Sequence, residues 1–91
     1  MNVEYIVIIP LKYRSQTDIC YHILDAANGG ATKTKIMYKA FLSSIQLKDY
    51  LPMLIEGGLL EFYAKIQTFK TTEKGIRFLK AYDQISELVS V

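Results

Sequence analysis

The chain has 91 residues, 51% hydrophobic and 22% charged, a balance typical of one folded globular domain rather than of a disordered segment. Eleven lysines and arginines against nine acidic residues leave a formal net charge of +2, so charge alone does not indicate a nucleic-acid partner. A single cysteine excludes an internal disulfide and favours a reducing, cytoplasmic setting.

Residues 1–10, with the letters MNVEYIVIIP, predict an added β-strand because they are rich in β-branched side chains. Glu4 interrupts the apolar run and Pro10 ends it. The run is therefore too short for a spanning helix, and it lacks the basic leader of a signal peptide, so we expect no membrane partner. The strand is expected either to edge a neighbouring hairpin or to pair across a dimer.

Three helices are predicted after this strand. Ser15 caps the first helix, and Asn28-Gly29-Gly30 ends it. Thr32 caps a short second helix, and Ser43-Ser44 caps a third helix that stops at residues 57–58. The positions expected to face inward are Ile19, Cys20, Ile23, Leu24 and Ala27, then Ile36, Met37 and Ala40, then Leu47, Tyr50, Leu51, Leu54 and Ile55.

The very short connection between the second and third helices is the pattern of a helix-turn-helix. Pro52 lies inside the third helix, so we expect that helix to kink there or to begin anew near Leu51. Residues 59–63 and 66–70 then predict two strands around a tip at residues 64–65, and the tip letters leave the turn type open. Thr71 or Thr72 caps a fourth helix, with Glu73 near its positive end.

The last helix carries an apolar stripe that continues to the C-terminus. Ile76 and Leu79 are expected to anchor the helix to its own domain. The stripe predicts a homodimer interface; the other interpretation is a helix that folds back on its own core. The residues assigned to the interface are Phe78, Tyr82, Ile85, Leu88 and Val89.

The segment KTKIMYKAFLSSIQLKDYLPMLIEGGLLE, followed by TTEKGIRFLKAY, resembles archaeal winged helix-turn-helix regulators, a group that includes small dimeric DNA-binding proteins of the crenarchaea. The resemblance covers residues 15–82. It implies an α+β fold, binding of duplex DNA by a homodimer joined through the C-terminal helix, and no catalytic activity. We therefore expect one domain over residues 1–91, with an added strand at 1–10, the helix-turn-helix and wing at 15–72 and a dimerisation helix at 73–91.

Three groups of residues are expected to contact DNA. The first turn of the second helix offers free amides and positive charge to a phosphate. On the third helix, Gln46 is expected to pair with an adenine edge and Lys48 with guanine or a phosphate. The wing lysines, with Lys12 and Arg14, extend the positive surface. The complete set is Lys33, Thr34 and Lys35, then Ser43, Ser44, Gln46 and Lys48, then Lys65 and Lys70.

Two alternatives to a DNA-binding protein are left open. Ile45 and Asp49 are unusual on the outer face of such a helix, and with Pro52 they motivate a winged-helix module that binds protein instead. An RNA-binding module is the second alternative. Cys20 and His22 lie two residues apart and point in different directions, so we expect no metal site, no cofactor and no enzyme.

Overall fold

The computed structural model describes residues 15–89, so the strand predicted at residues 1–10 lies outside the described residues. From residue 15 onward the predicted order of three helices, a hairpin and a fourth helix is confirmed. The elements are α1 Gln16–Ala26, α2 Lys33–Ala40, α3 Ser44–Glu56, β1 Leu60–Tyr63, β2 Thr68–Thr71 and α4 Glu73–Val89, with a 3-10 turn at Ala64–Ile66 between the two strands.

The first two helices begin at their predicted caps. The Ser15 hydroxyl accepts a hydrogen bond from the Asp18 amide at 3.1 Å, and the Asp18 carboxylate accepts one from the Ser15 amide at 3.4 Å. At the start of α2 the Thr32 hydroxyl accepts from the Lys35 amide at 3.2 Å. Each cap satisfies an amide that has no partner inside the helix, which typically stabilises a helix by about 1 kcal/mol.

The two threonines before α4 take different roles. Thr72 caps the helix, because its hydroxyl accepts a hydrogen bond from the Gly75 amide at 3.1 Å. Thr71 is buried at the end of β2, and its hydroxyl donates to the Leu24 carbonyl at 2.6 Å. That bond satisfies a polar group inside the core and ties the wing to α1.

The hydrophobic core lies between α1, α2, α3, the hairpin and the first half of α4. Its fully buried large side chains are Ile23, Leu24, Ile36, Leu47, Leu54 and Leu60. Met37 and Tyr50 are half-buried against it. Ile55 was expected to face inward, but 38% of its surface is exposed. Successive helical residues are about 100° apart, so Leu54 points into the core and Ile55 lies at the edge of the buried stripe.

Helix α3 runs without interruption through Pro52, so the expectation that it begins anew near Leu51 is wrong. Proline removes one helical hydrogen bond, the one that the Lys48 carbonyl would accept. Both Lys48 and Pro52 are exposed, so water can satisfy that carbonyl and the helix continues. The helix ends at Gly57, and Gly58 follows with φ 78°, a left-handed conformation that glycine adopts without strain.

The hairpin has a longer tip than the sequence predicts. Its strands pair antiparallel from Leu60 opposite Thr71 to Tyr63 opposite Thr68. Residues 66 and 67 therefore belong to the turn, and the predicted second strand at 66–70 begins two residues too early. The Gln67 side-chain amide donates to the Ala64 carbonyl at 2.8 Å, which stabilises this wider turn.

A third short pairing joins the hairpin to the rest of the domain. Ala31, between α1 and α2, forms an antiparallel bridge with Phe69, with both backbone bonds at 2.8 Å. The wing is thus fixed by hydrogen bonds to the segment that leads into α2. This bridge connects the wing directly to the segment that leads into α2.

Candidate nucleic-acid interface

The first turn of α2 presents its predicted residues to solvent. Lys33, Thr34 and Lys35 are all exposed. The Thr32 hydroxyl takes the Lys35 amide, and the first helical bond runs from the Ile36 amide to the Thr32 carbonyl at 3.0 Å. The amides of Lys33 and Thr34 precede that bond, so they point out of the helix end as donors. This turn combines two amides, the positive end of the helix dipole and two lysines, an arrangement suited to an anion.

The start of α3 is a reciprocal cap that occupies two of the predicted base-reading residues. The Ser43 hydroxyl accepts from the Gln46 amide at 3.1 Å, and the Gln46 side-chain carbonyl accepts from the Ser43 amide at 2.9 Å. A contact between Gln46 and an adenine edge must therefore compete with the cap. The spacing Ser-x-x-Gln is the sequence signal of this capping box, and it identifies a helix start rather than a base contact.

The outer face of α3 lies opposite the buried Leu47, Leu51 and Leu54 and carries little positive charge. Helical geometry places Ile45, Asp49, Pro52 and Glu56 along its centre, with Ser44 and Lys48 on one flank. Ile45 is 78% exposed. The centre of this face is therefore apolar and acidic, and Lys48 is the single lysine of the helix.

The two wing lysines have different surroundings. Lys65 is exposed in the 3-10 turn at the tip of the hairpin, as its predicted role requires. Lys70 pairs in the strand register with Glu61. The Tyr63 hydroxyl donates to the Glu61 carboxylate at 2.8 Å. A carboxylate directly across the strand pair weakens the attraction of Lys70 for a phosphate, whereas Lys65 has no such neighbour in the register.

An exposed aromatic surface at the turn between α2 and α3 is absent from the sequence predictions. Tyr38 is 84% exposed and Phe41 is 75% exposed. Phe41 adopts a left-handed conformation with φ 56°, and its amide donates to the Met37 carbonyl to close α2. Together with Met37 and Lys39 these residues line an open groove. The exposure of Tyr38 could have been predicted from the sequence, because helical spacing places Tyr38 on the side of α2 opposite the inward-facing Ile36 and Ala40.

Two of the five predicted dimer residues make contacts within their own domain. Phe78 is half-buried against the core. Tyr82 stacks on Tyr21 of α1, with ring centroids 4.2 Å apart, and its hydroxyl donates to the Asp18 carboxylate. Tyr21 in turn donates to Asp83 at 2.9 Å. The interpretation of a helix folded back on its own core therefore fits the first part of α4.

The end of α4 is different, because its apolar residues are exposed. Ile85 is 62%, Leu88 is 85% and Val89 is 73% exposed. Residues 90 and 91, which the sequence analysis included in this helix, lie outside the described residues. The dimer interface therefore stays a prediction that rests on these three side chains.

The hydrogen bond between Tyr82 and Asp18 shifts both groups. It lowers the pKa of Asp18 below its ordinary value of 3.8, because the bond favours the charged carboxylate. It also raises the pKa of Tyr82 from 10.0 to about 12, since loss of the phenol proton would break the bond beside a negative charge. Near neutral pH both groups therefore hold the protonation states that this bond between α4 and α1 requires.

Other kinds of site find little support in residues 15–89. Cys20 is buried in the core, and burial raises the pKa of its thiol, so the thiol is a poor nucleophile. Within that range no three His, Cys, Asp or Glu side chains lie close enough together to hold a metal ion. Nor does the described part of the chain contain a helix that is long and apolar enough to cross a membrane. The predicted positions Lys12 and Arg14 lie outside the described residues.

Comparison with known proteins agrees with the architecture. A family model described as winged helix-turn-helix matches residues 13–90. Curated proteins give no match. Among solved structures, the crystal structure of Sso10a-2, a DNA-binding protein from Sulfolobus solfataricus, is similar with a TM-score of 0.69 and 21% identity, covering 86% of this chain and 99% of that chain. The predicted α+β winged helix-turn-helix fold and its resemblance to archaeal proteins are confirmed.

Proposed function

Because the chain belongs to the winged helix-turn-helix family, we propose that it binds double-stranded DNA, with the start of α3 in the major groove and the hairpin as a flanking wing. The observation that carries the proposal is the first turn of α2, where two outward amides and the exposed Lys33 and Lys35 form an anion site. The name of the similar Sulfolobus protein, a DNA-binding protein, supports the same function. The proposal assigns no catalytic step.

Phosphate contacts supply most of the binding free energy in this proposal. Lys33 and Lys35 anchor α2 on one strand of the backbone, and Lys65 at the wing tip reaches the adjacent minor groove or its phosphates. The bridge between Ala31 and Phe69 fixes the distance between these two anchors. Each lysine that neutralises a phosphate releases a condensed counterion, so the affinity falls as salt concentration rises.

We also propose that the protein acts as a homodimer joined through the second half of α4. The positions of Phe78, Tyr82, Ile85 and Val89 alternate at spacings of four and three residues, as in a helix that packs along one seam. The first two are half-covered by their own domain, and the last two with Leu88 extend that seam as exposed apolar surface. A symmetric pair would place two α3 helices on half-sites about 34 Å apart, as a transcriptional regulator or an architectural protein requires.

The proposal is tested by fluorescence anisotropy of labelled duplex DNA across a salt series. Wild type is compared with Lys33→Ala/Lys35→Ala and with the control Arg77→Ala/Lys80→Ala, which removes the same charge from the exposed face of α4. The α2 variant should bind less tightly and lower the slope of log K against log salt by about two for each protomer. The control variant should change the affinity and the slope only slightly.

Absence of binding at low salt, from a protein with the circular dichroism of a folded domain, would refute DNA binding. Equal losses in the two variants would show that net charge matters and that the turn of α2 has no special role. A preference for single strands or for an A-form duplex over B-form DNA would favour the RNA alternative.

A protein-interaction module is the second candidate function, and one observation favours it. The centre of the outer face of α3 is apolar and acidic, and Tyr38 and Phe41 expose aromatic surface at the turn between α2 and α3. Exposed aromatic residues are enriched in protein interfaces, and lysines are depleted there, as in the centre of the outer face of α3. Failure of a well-folded dimer to bind any duplex would make this candidate the one to pursue.

A further inference from the structure

The outer face of α3 carries an apolar side chain at the place where a helix in the major groove meets base edges. Ile45 is the second residue of the helix and is 78% exposed. We propose that Ile45 contacts the 5-methyl group of thymine, so that the protein prefers A·T pairs under the start of α3. This inference rests on the proposed DNA binding and adds the class of base that the site recognises.

The position of Ile45 is fixed before any DNA binds. The cap between Ser43 and Gln46 holds the backbone on both sides of it through bonds of 3.1 and 2.9 Å. Isoleucine in a helix strongly prefers one χ1 rotamer, so its methyl groups occupy a defined place. The N-terminal residues of a helix in the major groove are those that contact bases. A preordered side chain at this position loses little conformational entropy on contact.

Thymine is the one base that presents a methyl group on its major-groove edge. Guanine presents two acceptors and cytosine an amine, while thymine presents a methyl group beside an acceptor. Isoleucine makes no hydrogen bond, so against guanine or cytosine it would remove water from polar atoms without replacing it. The same side chain therefore favours thymine and disfavours the polar edges.

Asp49 lies one turn further along the same face. Its exposed carboxylate accepts hydrogen bonds only, so it can bind the amine of adenine or cytosine and is repelled by the two acceptors of guanine. Because A·T and G·C pairs each offer one such amine, the proposed preference for A·T pairs rests on Ile45 alone. The one lysine of this helix, Lys48, lies on the flank, where a phosphate is within reach.

The charges of the described residues are compatible with DNA as the occupant of this face. Lys48 is exposed on the flank of the apolar and acidic centre, and Lys33 and Lys35 are exposed in the first turn of α2. In the proposed complex, base edges meet the centre of the face and these lysines meet phosphates.

The test compares two duplexes that differ only in the 5-methyl group: alternating dA-dT and alternating dA-dU, both long enough for two half-sites, about 20 base pairs. Wild type should bind the thymine duplex about fourfold more tightly for each methyl group contacted. Ile45→Ala should bind both duplexes with the same Kd, and Ile45→Val, which keeps a branched apolar side chain, should retain most of the discrimination. Ile45 is exposed and alanine favours helix, so both variants should fold.

Three results would overturn the inference. If wild type binds both duplexes equally well, Ile45 reads no methyl group, and the proposed DNA binding still stands. If Ile45→Ala keeps the discrimination, the preference comes from the shape of the duplex. If Ile45→Ala instead lowers the molar mass measured by light scattering, the face is a contact between copies. Absence of binding to either duplex refutes the proposed function and the inference together.

Discussion

Replacing Gly75 by alanine tests the close crossing of α4 over the residues that follow α3. Gly75 is buried in the first turn of α4, and a Cβ atom there would lie 2.4 Å from the Leu59 carbonyl oxygen and 2.5 Å from the Thr71 Cγ2. Real Cβ atoms essentially never approach closer than 3.0 Å. The Leu59 oxygen also accepts the Thr72 amide at 3.1 Å, so the helix cannot retreat without weakening that bond.

The expected change in the free energy of unfolding follows from three contributions. Alanine is favoured over glycine inside a helix by about 1 kcal/mol. Overpacking of a buried site costs about 1 to 3 kcal/mol, and loss of the Thr72–Leu59 bond about 1 kcal/mol more. The unfavourable contributions exceed the gain, so Gly75→Ala should destabilise the domain by about 2 kcal/mol. That corresponds to a fall in Tm of about 10 °C for a domain of this size.

Urea denaturation followed by circular dichroism, at one fixed protein concentration, measures this change. Gly57→Ala is the matched control, because its φ of −76° suits alanine and its Cβ would lie 3.4 Å from the nearest atom, the Met53 carbonyl oxygen. The control should differ from wild type by no more than about 0.5 kcal/mol. If Gly75→Ala is as stable as wild type, or more stable, the close crossing of α4 over Leu59 is refuted.

Two further predictions concern α4. Tyr82→Phe keeps the ring on Tyr21 but loses the bond to Asp18, which should cost about 1 kcal/mol in urea denaturation near neutral pH. Because the pKa of Tyr82 is raised, the stabilisation by this bond is complete below pH 10.0 and is lost as pH rises toward about 12. Because the pKa of Asp18 is lowered, the same stabilisation is present above pH 3.8 and is lost in stronger acid. A stability difference between Tyr82→Phe and wild type that stays constant at both extremes of pH would contradict the assignment. Ile85→Glu/Leu88→Glu places two charges on the exposed stripe and should halve the molar mass measured by light scattering, with the circular dichroism of the domain retained. An unchanged mass would place any dimer contact elsewhere.

Features that depend on neighbouring residues could be predicted from the sequence. The caps at Ser15, Thr32 and Ser43 follow from a hydroxyl before an apolar-periodic segment, and all three are confirmed. The buried stripes of α1 and α3 follow from helical spacing. Lys33, Thr34 and Lys35 are exposed in the first turn of α2, where the sequence predicts them, and their contact with DNA stays a prediction. All these features involve contacts within one turn of helix, where local chemistry decides the structure.

Features that depend on contacts between distant segments could not be predicted. The bond between Tyr82 and Asp18 joins residues 64 positions apart, and no local pattern marks it. Gly75 looks like an unfavourable residue in a helix until the Leu59 carbonyl is placed against it. The sequence also predicted that α3 would kink at Pro52 or begin anew near Leu51, but the consequence of a proline depends on whether the freed carbonyl faces water. Tertiary packing decides each of these cases.

The distribution of charge argues that base contacts carry an unusual share of the specificity proposed for this protein. In the proposed dimer, Lys33, Lys35 and Lys65 would make about six phosphate contacts, which predicts a slope of log K against log salt of about −5. Asp49 and Glu61 lie close to the lysines of α3 and the wing, and the whole chain carries a net charge of only +2. We therefore expect the non-specific attraction of the protein to DNA to be modest. An apolar contact such as that proposed for Ile45 is insensitive to salt, so discrimination between the thymine and uracil duplexes should persist at salt concentrations where total affinity has fallen.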